Sequence, residues 1–474
     1  MVALGSASPS GQTIVAKNSD RPADECQPLV LRRRRAHAPG AVTRCQFLEL
    51  PEAAVTYRHV GSRPHWCWGY EHGFNEHQVV IGNEAVFSRC PESAEPKLIG
   101  MEIIRLGLER ARTAPDAVEV MTDAISLYGQ GKFANDADVL TYDNSYIVAD
   151  PREAFVIETA GHEWAVKRVE RAAGISNHHS ISTDWSSVSP SAEREAIDRA
   201  WWKPEWGRLD FARAYAVPRD YGALRILDTI SDHTAAWTAA DLTAYLSKQE
   251  GLDLTREEVE NVLSGSHNAP WRCARSNDLL RQNDGSVTAR TMMSILSDHG
   301  DGRVTGAPLD CAPSTRSGTI CYHQAPDGRG GNTAASLVAD LCGDGSRLPI
   351  YWCSLYSPCL GLFLPIFMEG DLPKALSVGG ASASAASPWW QFRELSRSVY
   401  EDIETRGPQV RERWAPLQED LLDTAHAMAS EGRRLRDAGQ GDECARLLTR
   451  YMEENTATML TMVAELLSEF EAPA

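Results

Sequence analysis

The chain has 474 residues and a formal net charge of −18, with 43% hydrophobic and 24% charged residues. This composition is typical of a globular protein with a large core, built as one large domain or as several of ordinary size. The negative charge excludes a nucleic-acid partner, whose phosphates need a cationic surface, and argues equally against anionic membranes.

The chain lacks the features of an exported or membrane-bound protein. No apolar run approaches the length of about 20 residues that spans a bilayer, and the N-terminus lacks the pattern of a signal peptide. We therefore expect a cytoplasmic protein. Eleven cysteines are scattered along the sequence without a CxxC motif. In a reducing compartment they are expected to be buried free thiols.

The region from Gly11 to about Asp184 is rich in strand patterns. The turn-forming tetrad Asp150–Glu153 separates two apolar runs and predicts a β-hairpin. Two segments with apolar residues at helical spacing, 98–112 and 118–128, predict helices that cover one face of a sheet. The predicted strands lie at 14–16, 29–31 (as an edge strand), 78–82, 145–149, 154–158 and 164–169.

The rest of the chain is predicted to be mostly helical. The middle, 192–263, is rich in tryptophan and charge, and strand-like segments return at 318–322 and 350–353. A run of small residues, 378–388, predicts a linker or loop between a domain of residues 1–377 and a helical region of residues 389–474.

The last helix carries an apolar stripe. Such a stripe predicts packing against the body of the protein or against a second copy of the chain, and a regulatory partner helix is the alternative. Its members are Leu448, Met452, Met459, Val463 and Leu466.

Three motifs combine strand patterns with polar groups suited to chemistry. The first, IVAKNSDRP at 14–22, is a short apolar run followed by a predicted polar turn at 17–20 that carries a cation, a carboxamide and a carboxylate. The second runs from WGYEHGFNEH at 68–77 to IGNEAV at 81–86, and the third from ETAGHEWAVKRV at 158–169 to GISNHHSI at 174–181. Together they resemble the secernin and C69-dipeptidase branch of the N-terminal-nucleophile hydrolases.

That resemblance implies an α+β fold, a four-layer αββα sandwich of two antiparallel sheets. It also implies a hydrolase, most simply a dipeptidase, acting on small peptides or amides without a metal or other cofactor. The nucleophile in the family is a cysteine at the mature N-terminus. An α-amine with a pKa of about 8 can act as its base, and nearby N–H groups stabilise the oxyanion.

The resemblance assigns roles to four residues as catalytic candidates. Asp20 matches the aspartate that contacts the nucleophile's amine, and Lys17 the basic residue beside it. Asn83 matches an oxyanion-hole asparagine, and Asn177 a second one that positions nucleophile and substrate. Each also has a structural interpretation. Asp20 and Lys17 could form a turn with a solvated lysine, Asn83 could cap the end of a strand, and Asn177 could be a loop asparagine.

The resemblance further implies an arginine from the middle of the chain. Arg225 is one candidate for this arginine, but the sequence on either side of it forms no distinctive motif. Late segments around Cys321 and Cys359 resemble core strands of the family, and both cysteines are expected to be buried thiols because neither lies in a nucleophile motif.

The start of the chain departs from the family pattern. Family members begin Cys-Asp-Thr-x-Val-Ala-Leu, and Met1 to Leu4 match the last four positions, so that the cysteine would stand three residues before Met1. Either the natural chain begins upstream, or the nucleophile is lost and the protein is a non-catalytic relative that works through protein contacts.

A metal-dependent amidohydrolase is a third interpretation. His72 and His77 are five residues apart, which is not a recognised ligand spacing. We found no HxH, HExxH or Cys/His motif in the sequence and expect no metal site.

Overall fold

A computed structural model describes residues 1–232, 237–263, 268–300, 319–324, 328 and 330–471. Its strands are β1 (Val2–Ala3), β2 (Ile14–Pro22), β3 (Leu29–Arg32), β4 (Arg35–Ala36), β5 (Val42–Arg44), β6 (Glu49–Pro51), β7 (Val55–Thr56), β8 (His59–Ser62), β9 (His72–Asn75), β10 (Val80–Val86), β11 (Asp143–Ala149), β12 (Ala154–Ala160), β13 (Glu163–Arg168), β14 (Ala172–Ala173), β15 (Ser187–Val188), β16 (Gly331–Asp340), β17 (Ile350–Leu355) and β18 (Leu364–Ile366).

The helices lie between the strands and after them. They are α1 (Gly100–Arg110), α2 (Ala114–Tyr128), α3 (Ala192–Asp198), α4 (Phe211–Tyr215), α5 (Pro218–Asp232), α6 (Ala239–Glu250), α7 (Arg256–Leu263), α8 (Asn268–Gln282), α9 (Ala289–Leu296), α10 (Pro388–Glu401), α11 (Ile403–Asp437) and α12 (Gly441–Glu471). None of the helices within these described ranges is long and apolar enough to cross a membrane.

Two antiparallel sheets form the centre of the fold. The larger has the strand order β15-β13-β12-β11-β10-β9-β8-β3, and the smaller has the order β14-β1-β2-β16-β17-β18. The predicted hairpin is the β11–β12 pair, whose turn is closed by Asp150 accepting from the backbone N–H groups of Arg152 and Glu153. The predicted edge strand is β3, at one end of the larger sheet.

Alternation along the strands of the larger sheet separates two apolar layers. Ile81 and Val148 pack with α1 and α2 on one face, and Val80 and Ile147 belong to the main core on the other. Successive side chains of a strand point to opposite faces, so this pattern places helices on one side of the sheet and the second sheet on the other.

Aromatic stacking marks the interface between the two sheets. The rings of Phe74 on β9 and Tyr351 on β17 stack with centroids 3.6 Å apart and planes 4° from parallel. Both side chains are buried. The contact crosses from the larger sheet to the smaller one and shows that the sheets pack face to face.

Helices cover the outer face of the smaller sheet. α9 packs on β2 and β16, and α10 to α12 pack on β17 and β18. All five residues of the predicted apolar stripe on α12 are buried in the main core. The four-layer αββα sandwich predicted from the sequence is therefore confirmed.

Two predicted elements were wrong. No strand forms at 319–322, and Ser317 and Gly318 lie outside the described residues. Cys321 instead points into a buried polar cluster, so the strand of this region begins only at Gly331. The polar turn predicted at 17–20 is also absent, because β2 continues to Pro22 and pairs with β16 along this stretch.

Truncating the interface ring should destabilise the whole sandwich. We expect Phe74→Ala to lower the free energy of unfolding by about 3–5 kcal/mol, since it removes a buried ring and leaves a cavity. Urea unfolding followed by far-UV circular dichroism measures this. Leu127→Ala, at a side chain that is 69% exposed, is the matched control and should change the value by less than about 0.5 kcal/mol. Equal effects of the two would contradict the assigned interface.

Candidate active site

Polar residues of β2 are held inside a strand. β16 pairs with β2 from Ile14 to Pro22, with a bulge between Thr333 and Ala335. On the other edge β1 pairs with Ile14 and Val15, and Met1 exchanges two backbone hydrogen bonds with Ala16, of 2.7 and 2.8 Å. The end of β1 thus meets β2 at the point where its polar residues begin.

A pocket of about 50 Å³ opens at this end of β1. It is enclosed by β2, β10, the segment after β14, α8 and α9. The polar groups that line it carry both signs of charge and come from both sheets and α8. They include Met1, Lys17, Asn18, Asp20, Glu84 and Arg272, and two serines, Ser176 and Ser276, also line the pocket.

A guanidinium joins two of the predicted residues. Arg272 on α8 donates through Nη1 to Asp20 Oδ2 at 2.8 Å and through Nη2 to Asn177 Oδ1. The other oxygen of Asp20 accepts from the hydroxyl of Thr333 at 2.7 Å. Asn177 also donates to the carbonyl of Ala85 at 2.9 Å. Asp20 and Asn177 are therefore held in fixed orientations, linked to each other through one cation.

Lys17 crosses from the smaller sheet to the larger one. Its ammonium donates to Asn18 O at 2.7 Å and lies 3.2 Å from Glu84 Oε1. The stem passes over Gly82, where a Cβ would lie 2.6 Å from Lys17 Cδ. The glycine of the IGNEAV motif is thus required by this close approach. Loss of water at the pocket wall raises the pKa of Glu84, and Lys17 opposes the shift.

The amine of Met1 lies at the pocket wall. Burial is the main cause that lowers its pKa to about 5, and the charge of Lys17 acts in the same direction while Glu84 opposes it. An amine at this position is neutral at pH 7, which is the form that can accept a proton.

The structure does not bring the side chain of Asn83 into this pocket. Asn83 is buried on the face of β10 that α1 covers, where its amide lies 2.6 Å from Asn144 Oδ1. Reversing the amide would let it donate to Glu71 at 3.2 Å and 3.0 Å. Glu84, the next residue, faces the pocket instead. The oxyanion role of Asn83 stays a prediction that its placement does not favour.

The arginine that lies at the site is Arg272, and the sequence motifs did not indicate it. Arg225, the match considered there, pairs with Asp228 within α5 at 2.7 Å. Arg272 lies in WRCAR, a stretch without a recognisable motif. The polar partners that hold it, Asp20 and Asn177, were the available signal, because a buried carboxylate needs a compensating cation.

Comparison with known proteins supports the family resemblance that the sequence motifs indicate. Residues 2–185 match the family model of peptidase family C69, which confirms the resemblance over the part of the chain that carries all three motifs. A match to a peptidase family supports the hydrolysis of amide bonds as the class of reaction. The matched segment contains Lys17, Asp20, Asn83 and Asn177, whereas Arg272 lies outside it.

Solved structures of similar fold include two variants of conjugated bile acid hydrolase from Clostridium perfringens. They are 10% and 11% identical to this chain, each with a TM-score of 0.39, and the alignments cover 80% of this chain and 95% and 94% of those chains. Penicillin V acylase from Agrobacterium tumefaciens is 12% identical with a TM-score of 0.38, over 77% of this chain and 85% of that chain. Structural similarity this weak gives no information about the substrate of this chain.

A buried histidine beside the pocket should make the fold sensitive to acid. His72 contacts the cavity formed with Met1 and Lys17, and neither of its ring nitrogens has a hydrogen-bond partner among the described residues. Burial, assisted by the charge of Lys17, lowers its pKa to about 3. Because the unfolded chain binds a proton below pH 6.5 and the folded chain does not, stability falls as pH drops from 6.5 toward 3.

We therefore expect His72→Asn to reduce the loss of stability on acidification. Between pH 7 and pH 5 the variant should lose about 2 kcal/mol less unfolding free energy than the wild type. Urea unfolding at the two pH values measures the difference. His162→Asn, at an exposed histidine, is the control. A variant as acid-sensitive as the wild type would show that His72 titrates normally.

Proposed function

We propose that this pocket is the active site of a cysteine-type amide hydrolase that acts on small peptides, most simply dipeptides. In this proposal the nucleophile is an N-terminal cysteine three residues before Met1. The observation that carries the proposal is the register of β1 on β2, which aims the start of the strand at Asp20.

The register can be extended residue by residue. Met1 lies opposite Ala16, and antiparallel strands pair one residue to one. Three further residues would lie opposite Lys17, Asn18 and Ser19. They would span about 10 Å at the usual rise of a strand. The third would stand beside Asp20, and opposed side chains share a face, so its thiol would lie on the face of Ser19.

Asp20 can receive the amine of that residue. A carboxylate has about four acceptor positions, and the described contacts of Asp20 use two of them, for Thr333 and Arg272. An α-amine has an ordinary pKa of about 8, so a useful fraction of it is neutral near pH 7. It could then take the proton of its own thiol, and Asp20 would orient it.

Cationic groups of the pocket suit the negative charge that develops during amide hydrolysis. Arg272 Nε is a buried donor without a hydrogen-bond partner among the described residues. Lys17 is a second cation of the pocket. Asn177 lies behind Arg272, and its amide, which donates to Ala85 O, has one further N–H to offer. Fixed donors in a site with little water stabilise an oxyanion most strongly. The presence of both charge signs in the lining favours a short zwitterionic peptide over a protein substrate.

Adding the cysteine tests the proposal directly. Cys-Asp-Thr placed before Met1, with processing that leaves the cysteine first, should give hydrolysis of dipeptides in a panel assay. The chain that starts at Met1 should give almost none, because Val2 and Met1 offer no nucleophile. Acetylation of the new terminus should abolish the activity, since an acylated amine cannot act as a base.

Ala-Asp-Thr before Met1 is the matched control and should be inactive with an unchanged melting temperature. Equal and metal-independent activity of the extended chain and of the chain that starts at Met1 would refute the mechanism. Inactivity of a correctly processed, folded cysteine protein across the panel would favour the non-catalytic alternative.

Substitutions of the two asparagines should have different effects in the active, extended protein. Asn177→Ala should lower turnover by roughly 10²–10³, the usual loss for one donor at an oxyanion site. Asn83→Ala should leave turnover of the folded protein nearly unchanged and should lower stability by about 1–3 kcal/mol, because it leaves buried polar partners unsatisfied. Steady-state kinetics and urea unfolding of both variants measure this. The reverse pattern would restore Asn83 as the oxyanion donor.

A further inference from the structure

Four side chains from three separate segments of the chain meet behind the wall of the pocket. This Cys/His cluster consists of His299, Cys321, His323 and Cys359, and one nitrogen or sulfur of each lies within 4.8 Å of all the others. His299 follows α9, and Cys359 lies in the short helix Pro358–Leu360. The sulfur atoms of Cys321 and Cys359 lie 3.3 and 3.4 Å, respectively, from His323 Nε2.

Hydrogen bonding around His323 fixes which nitrogen faces the cluster. His323 Nδ1 is hydrogen-bonded to the hydroxyl of Tyr400, which also lies 3.4 Å from Asn332 Oδ1, and a His323 protonated at Nδ1 would donate this bond. Nε2 of a neutral His323 then carries a lone pair toward the cluster. Three groups approach this one nitrogen: His299 Nε2 at 3.0 Å and the two thiols.

A cation at the centre of the cluster would bind all four groups at once. Tetrahedral zinc has bonds of about 2.0–2.1 Å to histidine and about 2.3 Å to cysteine, so its ligands lie about 3.3–3.8 Å apart. The observed separations of 3.0, 3.3 and 3.4 Å are close to these edges. The Tyr400 contact is the outer hydrogen bond that orients a ligating histidine.

We propose that His299, Cys321, His323 and Cys359 form a structural zinc site. Four protein ligands with two thiolates and two imidazoles fill a tetrahedral shell and leave no position for a substrate, so the ion would stabilise the fold and not act in hydrolysis. These ligands come from three separate segments without a motif, so no sequence pattern indicates them.

The site would hold the wall of the pocket in place. Leu296 and Ile320 line the pocket, and each lies close in sequence to a ligand of the cluster. Both backbone carbonyls accept from Asn18 Nδ2, at 2.8 and 3.0 Å. Zinc would therefore tie α9 and the segment 319–323 to each other just behind β2.

Metal analysis of the chain that starts at Met1 tests the site independently of hydrolysis. Protein made in zinc-supplemented medium and purified with a non-thiol reductant should contain about one zinc per chain by mass spectrometry of the elements. The double variant Cys321→Ala/Cys359→Ala should lose it. Cys444→Ala, at a buried thiol of α12 outside the cluster, should retain it.

A second measurement does not depend on the fold of that double variant. Cobalt titrated into the reduced, zinc-depleted wild type should give the absorption bands of tetrahedral cobalt with thiolate ligands, saturating at one equivalent. Tyr400→Phe keeps every ligand and should weaken zinc binding by roughly 10–100-fold. Reduced wild-type protein without zinc and without cobalt bands would overturn the proposal, as would full zinc content in the double variant.

Discussion

The fork of hydrogen bonds from Arg272 is the interaction on which the arrangement of the site depends. It joins α8 to Asp20 on the smaller sheet and to Asn177, which is itself bound to the carbonyl of Ala85 on the larger sheet. One side chain therefore fixes the pocket against both sheets. Removing one partner would leave the other charge uncompensated, which destabilises the fold to the extent that this charge is kept from water.

A second polar residue of β2 links the pocket to the Cys/His cluster. The Asn18 amide bonds to the backbone on either side of the cluster, and its oxygen accepts from Ser336 at 2.7 Å. Successive residues of β2 thus serve opposite faces: Lys17 reaches between the sheets, and Asn18 reaches toward α9. The motif at 14–22 is polar because both faces of the strand carry partners, and not because the chain turns there.

Sequence patterns predicted the layers of the fold well. The period-2 alternation in β10 and β11 and the helical spacing in α1 and α2 depend on local burial, which a single sequence records. The same alternation, applied within IGNEAV, separates Asn83 from Glu84 and would have placed the glutamate at the pocket. Motif resemblance singled out Asp20 and Asn177, which the structure brings together around Arg272.

What the sequence did not reveal arises from packing between distant segments. Arg272 reaches the site only because α8 lies against β14, and the Cys/His cluster forms only where α9, the segment 319–323 and the residues after β17 meet. Neither has a local spacing that a motif could describe. The predicted strand at 318–322 was wrong for the same reason, since the inward positions of Cys321 and His323 follow from contacts with His299 and Cys359.

The most direct measurement is a crystal structure of the protein extended by an N-terminal Cys-Asp-Thr. The account predicts that the three added residues pair with β2 opposite Lys17 to Ser19, and that the new α-amine lies within about 3.2 Å of an Asp20 oxygen. An extension that leaves the pocket for solvent, with its amine more than about 8 Å from Asp20 and the Arg272 contacts intact, would contradict the account.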